Sequence, residues 1–292
     1  MPGEYDRMQK LVDAVEAASP LDTPGKTIGK AVRGALGAGG LKDTLSGTWL
    51  GHALHPMLTD VVIGSFLSAT LLDLLGTDAD SGAQERLIAV GIAAYGPTAL
   101  TGVNDWADSE PADPAVRRVG LVHAVSNSTA LTLYSSSLVA RRRGSHGRAR
   151  LLSGAGAAVL GLAGFLGGHM TFTQGVGPNQ TAFDEGPDEW TAAIDSAELA
   201  ADEAKAVNVG DTPVLLVRHR KHVHAIHDRC SHRGCSLAET GEVDGETVEC
   251  GCHGSRFSLR DGSVERGPAT SGQPAYEVRE QDGKVEIRLS SG

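Results

Sequence analysis

Four apolar runs, at 54–75, 87–103, 120–140 and 151–168, constrain the first half of this 292-residue chain more than any other feature. Each has roughly the 17 to 22 residues that a helix rising about 1.5 Å per residue needs to cross a hydrocarbon core. They are rich in Gly, Ala, Ser and Thr, which let membrane helices approach closely. Asp60 and Asp73 interrupt the first run, and Ser126, Asn127, Ser128 and Thr129 dilute the third, so a soluble helical bundle is the competing reading. Helix-length runs joined by short loops favour a four-span transmembrane bundle over 51–172, preceded by a polar segment at 1–50.

Antiparallel spans bring particular residues to one end of such a bundle. His52 and His55 open the first span, Asp105 closes the second, His123 and Asn127 open the third, and His169 closes the fourth. Trp49 and Trp106 fall at the same level, where indoles prefer the membrane interface. Three readings of the group stay open. His52, His55, Asp105, His123 and His169 could form a hydrogen-bonded helix-end network, a quinone-head site exchanging protons through imidazole and carboxylate, or a haem b site ligated by histidines of facing helices.

Orientation rests on charge. The loop RRRGSHGRAR at 141–150 holds five arginines, and the positive-inside rule keeps such a loop cytoplasmic. The N-terminus and everything after the fourth span then lie on the extracytoplasmic face of a prokaryotic cell membrane. The polar N-terminal segment carries six Lys or Arg of its own, which narrows that vote. It has no positive start, apolar core and small-residue cleavage site of the kind a removable signal peptide needs.

Composition changes near residue 175. From Thr171 onward 12 Lys and Arg face 21 Asp and Glu, so nearly all of the net charge of −10 lies there. Such a domain attracts neither nucleic acid nor anionic lipid by charge, and it favours a basic redox partner. Residues 173–188 read as linker. Beyond them, runs at 212–219, 222–226, 247–249, 275–279 and 284–289, separated by Gly with Asp or Glu, predict a small all-β domain over 189–292. The fold class is therefore α plus β in two domains. His219, His222, His224 and His227 are read as surface residues of these strands.

All four cysteines and two histidines fall within CSHRGCSLAETGEVDGETVECGCHGSRF, residues 230–257. A structural zinc site more often pairs cysteines as C-x2-C. Here each loop offers one sulfur and one nitrogen, with a spare cysteine beside each pair.

This pattern and its surroundings, CSHRGCSL and CGCHGSRFSLRDGSVERGPA, resemble the Rieske [2Fe–2S] family over about residues 189–290. The resemblance implies that Cys230 and Cys250 bind one iron and His232 and His253 the other, which raises the potential above that of an all-cysteine cluster. It implies a disulfide between Cys235 and Cys252, as in the cytochrome bc-type members, which suits an oxidising compartment. Ser255 stands where high-potential members aim a hydroxyl at a bridging sulfide, whereas Phe257 replaces their second hydroxyl donor, a tyrosine. Pro268, in Gly267-Pro268-Ala269, matches the loop that covers the cluster. The expected potential lies between the soluble ferredoxins and the quinol-oxidising complexes. The first half resembles an uncharacterised prokaryotic four-span domain with HP, D, GxxD and H motifs near its span ends.

Together these features imply a membrane-anchored carrier of single electrons, more an electron-transfer protein than a stand-alone enzyme. Its donor would be a quinol or a haem, and its partner is unnamed. The alternatives are a Rieske component of a larger oxidoreductase or oxygenase complex, or a redox-sensing membrane protein.

Overall fold

A computed structural model describes residues 2–37, 39–76, 80–184, 186–201 and 203–290, with side chains from Met8 onward. Its longer helices are α1 (Pro2–Glu16), α2 (Asp22–Leu36), α3 (Gly40–Ser46), α4 (Leu54–Leu75), α5 (Ser81–Ser109), α6 (Pro114–Arg142) and α7 (His146–Phe172). Two compact units result, one of Met1–Leu36 with Leu54–Val176, the other of Gly37–Ala53 with Gly177–Gly292.

In the first unit, α4 to α7 cover the four apolar runs. Among the described residues, three helices are long and apolar enough to cross a membrane: α4, α5 and α7, with mean hydropathy 1.7, 1.3 and 1.7. The third expected span, α6, is a helix over the expected residues but falls short of that apolarity. Its hydroxyls explain how the polarity is tolerated. Ser128, Thr129 and Thr132 each donate to the carbonyl four residues back, at 2.8–2.9 Å, so they satisfy themselves within the helix. Asp113 starts α6 by accepting from the Ala115 amide at 2.7 Å, and Pro114 occupies the first turn, where no N–H is needed.

Packing inside this unit relies on small residues. Phe66 of α4 stacks on Tyr134 of α6 with centroids 4.1 Å apart, and Thr70 shares a 2.7 Å hydrogen bond with the Tyr134 hydroxyl. A Cβ on Gly156 would sit 2.9 Å from the Tyr134 ring, so the close approach of α7 requires glycine there. Leu67, Leu71, Leu74, Val90, Leu100, Leu151 and Phe165 point outward and lie exposed. A water-soluble bundle would bury such residues; a bundle in lipid displays them.

Both ends of the bundle carry buried charge. Asp73, which interrupts the first run, pairs with Arg141 of α6, their side chains 2% and 1% exposed. At the other end Glu110, buried, accepts from Arg33 at 2.8 Å and Arg117 at 2.6 Å, and Arg118 binds Asp22 at 2.7 Å. These pairs fasten α2 to the end of α5 and the start of α6. Arg141 is thus absorbed by a helix-end pair, which leaves four of the five arginines of 141–150 for the loop.

Among its described residues the second unit holds ten strands, β1 (Thr191–Asp195), β2 (Ala204–Val209), β3 (Thr212–His219), β4 (His222–His227), β5 (Glu242–Asp244), β6 (Thr247–Glu249), β7 (Arg256–Ser258), β8 (Val264–Arg266), β9 (Ala275–Gln281) and β10 (Lys284–Leu289). They form a six-stranded antiparallel sheet, β1-β10-β9-β4-β3-β2, and a four-stranded one, β5-β6-β7-β8. β3 explains the architecture. Its run Val214-Leu215-Leu216-Val217 is fully buried, and alternation sends Leu215 and Val217 to one core, Val214 and Leu216 to another. The core of Leu215 and Val217 also contains Phe257, Val248, Cys230 and Cys250, so the cysteine loops stand on the packed interior.

Candidate metal centre

Two loops build the site. The first follows β4, the second joins β6 to β7, and they close with the same hydrogen bonds. Cys230 N–H donates to Cys235 O and Gly234 N–H to Cys230 O, both at 2.8 Å. In the second loop Cys250 N–H donates to Ser255 O at 2.8 Å and Gly254 N–H to Cys250 O at 2.9 Å. The fifth residue of each loop needs a positive φ, +77° at Gly234 and +81° at Gly254, which glycine adopts without strain. Arg266 donates to Gly254 O at 2.9 Å and fixes the second loop from outside. The glycine four residues after each lead cysteine was visible in the sequence; its meaning as a shared loop closure was not read there.

This closure places Cys230 and Cys250 side by side and buried, and brings His232 and His253 to a ring separation of 5.0 Å. Cys235 and Cys252 are joined in a disulfide that ties the loops together, with Cα atoms 6.7 Å apart. The sulfurs of Cys235, Cys250 and Cys252 lie within 4.8 Å of one another, but two of them are consumed by the disulfide and offer no thiolate. That leaves two thiols and two imidazoles.

The electrostatics suit a metal. Cys250 is pushed down to about 7, chiefly by the Cys230 thiol beside it and further by the amides of Cys252 and His253, while Cys230 is raised by the same contact. Burial, then His253, Arg233 and Lys42, push His232 well below its ordinary value, so its imidazole is neutral, the form that ligates. The donor set therefore fits a two-iron cluster with unlike ends: thiolate sulfur in the interior, neutral nitrogen beside it.

The residues expected to tune a cluster lie as follows. Ser255 is fully buried and its Oγ accepts from the Ala269 amide at 3.0 Å, which leaves its hydrogen available to donate. Phe257 is buried in the core that contains both thiols and offers no hydrogen bond. Pro268 lies in the loop that supplies that Ala269 amide.

One histidine departs from expectation. His227, expected at the surface, is fully buried; its Nδ1 accepts from the Arg229 amide at 3.1 Å, so Nε2 carries the proton and lies 3.4 Å from Asp184. Position 227 falls on the inward side of β4 where the loop begins, and the partner Asp184 lies in the segment read as linker. Burial lowers the affinity of His227 for a second proton below the ordinary 6.5. The unfolded chain then binds that proton first, so this contribution is complete above about pH 6.5 and is lost as pH falls through the folded value. Urea midpoints of the β domain between pH 8 and 5 should show this decline, and His227→Gln should flatten it.

In the first unit two of the five helix-end residues make matching contacts to neighbouring helices. His55 Nδ1 lies 3.0 Å from Thr98 O of α5, and His123 Nδ1 lies 2.8 Å from Ala163 O of α7. A carbonyl only accepts, so both Nδ1 atoms carry protons and each Nε2 presents a lone pair. Glycines make room: a Cβ on Gly102 would meet His55 at 2.6 Å, one on Gly167 would meet His123 at 3.0 Å. The Asn127 amide lies 3.0 Å from His123 Nε2. His169 instead meets Glu16 of α1 at 3.0 Å, Asp105 accepts from Asn104 at 3.0 Å, and His52 belongs to the other unit, exposed.

A small double-sheet β domain whose two matched loops present buried thiols and imidazoles is a metal-centre domain of the electron-transfer type. Residues 189–277 match the Rieske [2Fe–2S] domain. Over 103 residues the chain is 35% identical to the anthranilate 1,2-dioxygenase ferredoxin subunit of Burkholderia cepacia, a match covering 35% of this chain and 93% of the relative. It is 35% identical over 88 residues to the 3-phenylpropionate/cinnamic acid dioxygenase ferredoxin subunit of Escherichia coli K12, covering 30% and 83%. The solved ferredoxin of carbazole 1,9a-dioxygenase from Nocardioides aromaticivorans IC177 aligns at 25% identity and TM-score 0.33, over 35% of this chain and 98% of that one. The chain belongs to the Rieske [2Fe–2S] family, and its β domain carries a [2Fe–2S] cluster. Residues 51–180 match the family described as "Predicted membrane protein (DUF2231)", so the first unit is a membrane domain.

Proposed function

We propose that the protein is a membrane-anchored carrier of single electrons, with Cys230 and Cys250 holding one iron and His232 and His253 the other. The observation that carries the ligand set is the matched closure of the two loops, which sets a buried thiol pair beside an imidazole pair. When bound, the cluster supplies one-electron chemistry. The protein's own part is to hold the thiolates in a dry core, to clasp the loops by the disulfide, and to aim Ser255 Oγ–H inward. His232 and His253 take up protons more readily as negative charge accumulates beside them, so proton uptake accompanies reduction.

Ser255 and Phe257 bear on the potential. Ser255→Ala should lower the midpoint and also leave the buried Ala269 amide without its acceptor, costing about 1–3 kcal/mol of stability. Phe257→Tyr should raise the midpoint. A redox titration of each variant checks both directions; a Ser255→Ala midpoint equal to the parent would remove the serine from this role.

The donor we favour is a quinol reaching the His55 and His123 pair. His55 presents an unprotonated Nε2 and can accept a quinol hydroxyl proton, whereas the Asn127 amide at His123 Nε2 disfavours double-histidine haem ligation. In this reading α6 crosses the membrane with α4, α5 and α7, and the arginine loop puts the β domain outside the cell, where the disulfide is stable. Reduction of the cluster by added quinol in purified membranes, lost in His55→Leu, supports it; a haem Soret band in the purified protein overturns the quinol assignment.

The second reading follows from the relatives. Both curated matches are ferredoxin subunits of dioxygenases, which favours delivery of the electron to an oxygenase component. A basic partner suits the acidic β domain in either case.

A further inference from the structure

The stretch just ahead of α4 belongs to the metal-centre unit, unlike Met1–Leu36, which belongs to the membrane unit. Gly37–Ala53 contains α3 and a short 3₁₀ turn at Thr48–Leu50. Thr48 Oγ1 donates to Ala269 O at 3.3 Å, on the peptide loop whose amide holds Ser255. Gly267 leaves no room for a side chain, because a Cβ there would run into Thr48 and lie 2.9 Å from Asp43. α3 is therefore seated on the Gly267-Pro268-Ala269 loop. Within it Ser46 is 4% exposed and Lys42 only 6% exposed. A lysine so covered is uncommon in a seven-residue surface helix, since its ammonium gives up water to be there.

The position of Lys42 gives the burial a purpose. Lys42 is covered within the helix that rests on this loop, and Ala269 of the loop packs in the same core as Cys230 and Cys250, whereas Asp43, next in the helix, is turned to Gly267. A fixed cation beside the imidazole end of the site favours whichever redox state holds more negative charge, and screening by salt is weak at a buried position.

We propose that the segment Gly37–Ala53 is part of the metal centre and that Lys42 is a positioning charge that raises its reduction potential. The proposal rests on the assignment of Cys230, His232, Cys250 and His253 as cluster ligands. One electron enters on reduction and the covalent structure is unchanged.

The test is the midpoint potential of the full chain in detergent, followed by the EPR signal of the reduced cluster. Lys42→Met keeps most of the side-chain volume and removes the charge. It should shift the one-electron equilibrium at least threefold toward the oxidised state, tenfold corresponding to 59 mV. Lys42→Arg should stay near the parent, Lys42→Glu should fall further than Met, and the difference should persist at high salt. A Lys42→Met midpoint equal to the parent overturns the proposal. So does Lys42→Arg falling as far as Met, which would make packing the cause. Loss of the cluster in both Lys42→Met and Lys42→Gln, with Arg retaining it, also overturns it in favour of a role in assembly. If the parent itself gives no Rieske signal, the ligand assignment fails instead.

Discussion

Removing the clasp as Cys235→Ser/Cys252→Ser should cost the β domain about 3 kcal/mol, the entropy of closing a loop of this length, since 17 positions separate the two cysteines. Iron should leave the variant faster under chelation, because two loops tied by covalent bond become two loops held by hydrogen bonds alone. The EPR g values should stay close to the parent's, since no ligand has changed. The double variant is the clean form of the experiment. A single change leaves a thiol within 4.8 Å of Cys250 Sγ, near enough to compete for iron or to exchange into a wrong disulfide. Chelation kinetics and a urea midpoint equal to the parent's would mean that the clasp has no holding role.

The second large effect lies in the membrane unit. Arg141→Met leaves the Asp73 carboxylate buried without its partner, and breaking such a pair from one side costs about 3–5 kcal/mol. Arg141 also donates to Ser153 at 3.2 Å, and Ser153 lies 2.8 Å from Ser137, so one change disturbs the joint of α4, α6 and α7. Adding Asp73→Asn should recover much of the loss by removing the stranded charge. Thermal unfolding in detergent reads both steps. A single variant as stable as the parent would show that Asp73 takes up a proton or water readily, and that the pair is not the fastening inferred for it.

Much of this was legible in the sequence because the signals were long or chemically specific. The first apolar run and α4 share the bounds 54–75, since a long apolar run leaves a helix little choice of ends even with Asp60 and Asp73 inside it. The cysteine and histidine spacing pointed to two loops with one metal-binding pair each, and those loops lie where β4 ends and where β6 meets β7. Short elements carried no such signal. β5, β7 and β8 have three residues each, too few for alternation to register, and their pairing comes from neighbouring strands. His227 was read as exposed along with His222 and His224, but it lies three residues past His224, on the opposite face of β4, at the buried end of the strand. The membership of Gly37–Ala53 was hidden for a different reason. Its docking depends on one hydroxyl and one glycine with no room for a Cβ, each separated from its partner by more than two hundred residues. No local pattern encodes such a contact. The polarity of α6 is legible only with the hydrogen bonds in hand, because a hydroxyl that bonds its own helix counts as polar in composition and as satisfied in lipid.

The central claim is that two cysteines and two histidines of this chain share one two-iron cluster. Pulsed EPR of the reduced full-length protein, purified anaerobically from membranes, tests it most directly by counting the nitrogens coupled to the electron spin. The account predicts a Rieske-type signal with two imidazole nitrogens, and its disappearance in His253→Leu with the protein still folded. A signal without nitrogen coupling, or zinc in place of iron in the parent protein, would contradict it.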